Sequence, residues 1–291
     1  MQVEAIDIKL TPSLMTANLS HDPFWHLPQN ISTAKPGDIL RWQDIDAIAA
    51  STNWTIPAQY ASEDIDGEIV AASAFLLIPY APQNGAKKLR TLVWTHGTAG
   101  VVPICAPTNH KNLYYDWAGL GSTTPKGFQY VAGWTHAADV AFSVIAAKRR
   151  IGALLSDGWV TVGQSEGGMT AWRVNERLAL SGQDALRKAG NFLGSVAIAP
   201  ANRVDDGVVP IKFTAEDYKK TCKEEPGSSI RLLTYAGQNH DSVTNSAQAD
   251  YMSWVNDLFN GKKMKKGCSR VDIPPLTDLF QPVAIQYIAN M

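Results

Sequence analysis

Five residues, Gly163-Gln164-Ser165-Glu166-Gly167, constrain this chain more than any others. They follow the apolar run Trp159-Val160-Thr161-Val162. They precede Gly168-Met169-Thr170-Ala171-Trp172-Arg173-Val174, a stretch holding good helix formers. Strand, tight turn and helix is the setting in which a G-x-S-x-G pattern forms a nucleophile elbow. The turn cramps the serine backbone, so small residues are required on both sides. Gly163 and Gly167 supply them, and Gly168 eases the start of the helix. Such a bend holds the Ser165 hydroxyl at the head of a sheet, where a base can reach it. Without that context the pentapeptide is an ordinary glycine-rich turn.

The rest of the chain supplies a sheet for the elbow. Ile65 to Val70 and Ala74 to Pro79 read as two arms of an antiparallel pair, and Pro82 to Ala86 as a turn. Leu92 to Thr95 is a short apolar strand leading into His96-Gly97-Thr98-Ala99-Gly100. Ala137 to Ile151 has helical spacing, with Val140, Val144, Ala147 and Ile151 on one face. Its basic end, Lys148-Arg149-Arg150, suits a helix C-terminus. Phe192 to Ile198 and Ile230 to Tyr235 are further strands, and Ala249 to Phe259 a late helix. Alternating apolar strands and amphipathic helices predict an α/β fold with a mostly parallel sheet flanked by helices. Residues 1–60 read as an N-terminal arm and 61–291 as one core.

Bulk properties narrow the function. The 291 residues suffice for one large α/β domain or two small ones. A formal net charge of −1 gives no long-range pull toward nucleic acid or an anionic membrane. The basic cluster Lys262-Lys263-Met264-Lys265-Lys266 is short, has no interleaved aromatics and reads as a surface turn. No apolar run reaches the ~18 residues of a membrane span. The start shows no basic region followed by an apolar one, so no signal peptide is visible in it. Sequons at Asn18, Asn30 and Asn53 nevertheless point toward secretion. Metal and cofactor patterns are missing: no H-E-x-x-H, no C-x-x-C and no Walker loop, so no metal and no cofactor is expected.

A serine hydroxyl needs a base to attack at neutral pH, and the base needs a carboxylate to fix its tautomer. Six histidines are available. His21 and His26 lie in the irregular arm, His110 in a polar loop, and His136 at a helix start suited to packing or capping. His96 comes too early for the order serine, acid, histidine. His240 remains, in the loop after the strand Leu232-Leu233-Thr234-Tyr235. The acid should lie between Ser165 and His240. The pair Asp205-Asp206 is better placed than Asp184, Asp217 or Asp241, although Asp-Gly is also a turn signal. Donors for a developing oxyanion would be the amide of Glu166 and one from the glycine turn, at Gly97 or Thr98.

Taken together, these segments resemble the secretory lipase family of fungi and some bacteria, within the α/β-hydrolases. The likeness covers most of the length. Asp22-Pro23-Phe24-Trp25 with Pro36-Gly37-Asp38-Ile39-Leu40 resembles its opening signature. His96 to Gly100, Cys105-Ala106-Pro107-Thr108 and Asp116-Trp117-Ala118-Gly119-Leu120-Gly121 resemble its glycine turn and the two segments after it. Asp206-Gly207-Val208-Val209-Pro210 is similar to the setting of the family's acid, which selects Asp206 over Asp205. Ser165 falls on the nucleophile and His240 on the base. The resemblance implies a secreted lipase or esterase acting on small-molecule esters or acylglycerols through a Ser165–His240–Asp206 triad and an acyl-enzyme.

The sequence departs from that family in two places. Only Ala201-Asn202-Arg203-Val204 separates Pro200 from Asp205, where the family has its lid and acid-bearing strand. A parallel crossover needs about a dozen residues. A second strand has no counterpart between Tyr114-Tyr115 and Asp116-Trp117. We therefore expect, as a hypothesis, a shortened chain missing these strands and the lid. Cys222 and Cys268 could still pair, which would leave Cys105 single. The opposing reading is a catalytically inactive homologue that serves at most as a binding module. The sequence leaves oligomeric state open.

Overall fold

The computed structural model describes residues 23–29, 31–43, 52–102, 105–107, 117–122, 124–203 and 210–275. Asp205, Asp206, His21, His110, the sequon residues Asn18 and Asn30, and the Tyr115–Asp116 junction lie outside them. The chain divides into two compact units, Met1–Pro200 and Ala201–Met291. The boundary expected between residues 60 and 61 falls inside a strand.

The first unit opens with β1 (Ile39–Trp42), β2 (Thr52–Glu63) and β3 (Ile69–Pro79), an antiparallel sheet in the order β1-β2-β3. Ile65–Val70 and Ala74–Pro79 are therefore not partners. The second set lies wholly within β3, whose partner is β2, with Tyr60 opposite Ala72. The turn between β2 and β3 falls at 64–68 because Asp64 accepts the Asp66 and Glu68 amides, each at 2.9 Å. That bond pattern is an aspartate-built turn.

Next come β4 (Leu89–Thr95), α1 (Gly133–Ile151), β5 (Leu155–Gln164), α2 (Glu166–Ala179), the short α3 (Asp184–Arg187) and β6 (Phe192–Ile198). β4, β5 and β6 form a parallel sheet in that order, as the alternation of strands and helices predicts. β5 is central, and Trp159 to Gly163 are all buried. β4 and β6 are mostly half-buried, and Leu92 of β4 is 40% exposed. Among the described residues the β1–β3 sheet and the β4–β6 sheet do not pair, and the segment between β4 and α1 contains no strand.

α1 packs on β2, β3, β4 and α2. Its four-residue apolar face is indeed buried, but so are nearly all residues from Thr135 to Ala147. A helix enclosed on several sides cannot keep a polar face, and its alanines allow close approach. Phe142, Val140 and Val144 meet Tyr60, Ala72, Trp117 and Trp159 in the main core.

The second unit contains α4 (Ile211–Glu224), β7 (Ser229–Tyr235), α5 (Ser242–Ser246), α6 (Gln248–Phe259) and β8 (Gly267–Ile273). β7 and β8 pair in parallel. Val255 and Leu258 of α6 are buried, whereas α4 buries no residue. Among the described residues this apolar core is small, and a covalent tie compensates for it. The Cys222–Cys268 disulfide joins α4 to β8, and Cys105 is the free cysteine.

Candidate active site

Ser165 occupies the bend between β5 and α2 with φ +58° and ψ −119°. A positive φ is uncommon for any residue but glycine and marks stored strain. Neighbouring bonds hold the bend in place. The Ser165 amide donates to the Ile198 carbonyl at 3.0 Å, and its carbonyl accepts the Met169 amide at 2.9 Å. The Thr95 hydroxyl donates to the Gly167 carbonyl at 2.8 Å.

Close packing dictates the glycines around it. A Cβ on Gly163 would lie 2.0 Å from Thr95 Oγ1 and 2.2 Å from the Gly167 carbonyl oxygen. One on Gly167 would lie 2.0 Å from the Thr95 carbonyl oxygen, and one on Gly168 2.6 Å from that of Ile198. β4, β5 and β6 therefore close on the elbow from both sides.

The glycine turn arrives at the same place. A Cβ on Gly97 would lie 3.2 Å from Ser165 Cβ, so the Gly97 backbone passes close to the serine. The Glu166 amide lies in the first turn of α2, where N–H groups have no intrahelical acceptor. Ser165, Gly97, Thr98 and Glu166 thus share one locality.

A buried side-chain cluster surrounds this turn. Glu166 is fully buried; its carboxylate accepts the Thr98 hydroxyl at 2.9 Å and the Val131 amide at 3.0 Å. Burial raises its pKa. His136 stacks on Trp117 with centroids 4.2 Å apart, and Trp117 meets His96 at 5.0 Å. Burial lowers His96 to about 4, offset in part by its bond to the Gly97 carbonyl. His136 falls to about 3 through burial and then through the nearby His96. Both rings are neutral at pH 7. His136 donates from Nε2 to the Gln129 carbonyl at 3.2 Å, in keeping with the packing role expected of it.

His240 lies in the second unit, half-buried, between β7 and α5. Asp206, as stated, is outside the described residues. Sequence reasoning missed the Glu166 side chain, because it weighed only that residue's amide. A cleft of about 190 Å³ in the second unit, lined by Ile230, Trp254, Leu258 and Met264 among others, contains none of the expected site residues. Among the described residues no cluster of histidine, cysteine or carboxylate side chains could hold a metal ion. Nor is any described helix long and apolar enough to cross a membrane.

No protein-family model matches the chain. No curated protein matches it in sequence. Solved structures are similar to it. The X-ray structure of Candida antarctica lipase A in its closed state is similar with a TM-score of 0.67 at 15% identity, over 92% of this chain and 92% of that one. Another X-ray structure of Candida antarctica lipase A has a TM-score of 0.50 at 18% identity, over 82% of this chain and 56% of that one. A ligand-bound form of the rice cell wall degrading esterase LipA from Xanthomonas oryzae has a TM-score of 0.46 at 21% identity, over 57% of this chain and 51% of that one. The chain spans little more than half the length of these last two. The first likeness shows the fold alone, a mixed α/β architecture of the α/β-hydrolase kind.

Proposed function

We propose that the protein is a serine carboxylic ester hydrolase. Ser165 attacks the acyl carbon while His240 takes its proton, and Asp206 orients the imidazole. The amides of Glu166 and of the Gly97–Thr98 turn hold the oxyanion. His240 then returns the proton to the leaving alcohol. Water, activated by the same imidazole, releases the acyl group from Ser165.

The observation that carries the reading is the positive φ of Ser165, held under the Gly97 backbone. Strain of that kind in an otherwise well-packed turn is characteristic of a functional residue. Exposed apolar side chains stand on the segments beside it: Val101, Val102, Tyr130 and Val131. Apolar side chains on those segments suit an apolar acyl group. A lipase of similar fold supports the reading by analogy.

The test is hydrolysis of p-nitrophenyl esters and of an emulsified triacylglycerol, with and without an alcohol acceptor. Release of free acid, abolished in Ser165→Ala, supports the reading. A transesterified product in place of free acid would make the enzyme an acyltransferase. The unpaired sheets of the first unit favour a second reading, an inactive homologue, which predicts well-folded protein without turnover.

A further inference from the structure

We propose that the Glu166 side chain is a positioning residue that sets the oxyanion site by clamping the Gly97–Thr98 turn and the Tyr130–Val131 bend to the elbow. The inference rests on the function proposed above. It concerns the carboxylate, whereas that proposal uses only the amide of the same residue.

Two segments far apart in sequence are tied to the elbow through this side chain. Its Oε2 accepts the Thr98 hydroxyl at 2.9 Å, and Oε1 accepts the Val131 amide at 3.0 Å. The Tyr130 hydroxyl lies 3.3 Å from Thr98 Oγ1, so the chain runs Tyr130 to Thr98 to Glu166. Since the Thr98 proton points to Glu166, the Tyr130 hydroxyl is the donor in the outer bond. His136 Nδ1 stands 3.8 Å from Oε1 without a hydrogen bond, since the neutral ring keeps its proton on Nε2 for the Gln129 carbonyl.

Thr98 is exposed, and its hydroxyl is tied to Glu166 and Tyr130, while the neighbouring Gly97 packs against Ser165. Val131 has φ +51°, a costly conformation for a β-branched residue. A buried carboxylate accepting its amide is a sufficient reason for that bend to persist. One residue therefore contributes an oxyanion donor and also fixes the loop that carries the second. Misplacing a donor by about 1 Å costs about 100-fold in rate. The clamp should act on the transition state, where the oxyanion forms, and little on ground-state binding.

The experiment compares wild type, Thr98→Val, Glu166→Ala, Glu166→Gln and the double variant Thr98→Val/Glu166→Ala. It measures kcat and KM on a p-nitrophenyl ester, the rate constant of phosphonylation by a fluorophosphonate, and Tm. Thr98→Val, at an exposed position, should fold normally and lose about 10- to 100-fold in kcat with KM nearly unchanged. Glu166→Ala should lose at least as much, and the double variant no more than the worse single. Glu166→Gln should restore most of the loss, because an amide can accept from Val131 and donate to Thr98. Multiplicative losses in the double variant, or an unaltered kcat in Thr98→Val of an active enzyme, would overturn the clamp alone. A folded wild type inert to both ester and probe would overturn the proposed function and the clamp with it.

Discussion

Gly163 and Gly167 face each other across the elbow so closely that a methyl group on the first would sit 2.2 Å from the carbonyl oxygen of the second. That contact lets α2 start directly over the end of β5. It leaves the serine between them no relaxed backbone conformation. Gly163→Ala should therefore destabilise the protein by about 1–3 kcal/mol, the usual cost of overpacking. Urea unfolding followed by tryptophan fluorescence checks this. An unchanged midpoint would mean that the elbow is looser than described.

The acid is distinguished by a paired substitution. Asp206→Asn should lower kcat by about 10⁴-fold, the effect of leaving a catalytic imidazole in the wrong tautomer. Asp205→Asn should change it by less than about threefold, as expected of a turn carboxylate. Steady-state kinetics at saturating ester decide between them, and a reversal of the two effects would move the acid to Asp205.

What the sequence revealed and what it hid have physical causes. The elbow, β6 and α1 were legible because their strands carry short, largely apolar runs and the helix repeats at a fixed spacing. β2 was not. Its buried Gln59 and Ser62 break the apolar alternation, and each donates to a partner distant in sequence. Gln59 donates to Ser122 Oγ at 2.9 Å, and the Ser62 hydroxyl donates to Asp139. β8 is mostly exposed and carries Arg270 and Asp272, so only its pairing with β7 and its disulfide define it. Of the site, Ser165, Gly97, Thr98 and the Glu166 amide could be named from motifs. The Glu166 clamp could not, because nothing local tells that this carboxylate is buried against residues near 98 and 131.

Acid should weaken the fold partly through His136. Burial holds its folded-state pKa at about 3, below the ordinary 6.5. Between these values the unfolded chain binds a proton that the folded chain refuses, so stability falls as pH falls. Asp139, pushed up to about 7 by burial, works in the opposite direction, because its folded form takes the proton first. Glu166, also raised, acts like Asp139. His136→Phe keeps an aromatic ring against Trp117 and removes the histidine's titration, together with its bond to the Gln129 carbonyl. The slope of unfolding free energy against pH, between about pH 4 and 6, should drop by about one proton's worth relative to wild type. Equal slopes would contradict a buried neutral His136.

The disulfide should matter to the second unit in particular. It closes a loop with a sequence separation of 46, which corresponds to about 4 kcal/mol in the chain-entropy account. Cys222→Ser/Cys268→Ser should lower the unfolding temperature of that unit, read by calorimetry. A thiol titration of denatured, unreduced protein should find Cys105 alone, and three thiols there would contradict the pairing.

The central claim is that the strained serine at the elbow is the nucleophile. Intact-mass and peptide mapping of the full chain after a fluorophosphonate tests it most directly. The account predicts one adduct per chain, on Ser165, lost in Ser165→Ala and strongly slowed in His240→Gln. A folded protein that takes up no probe, or one labelled equally in Ser165→Ala, would contradict it.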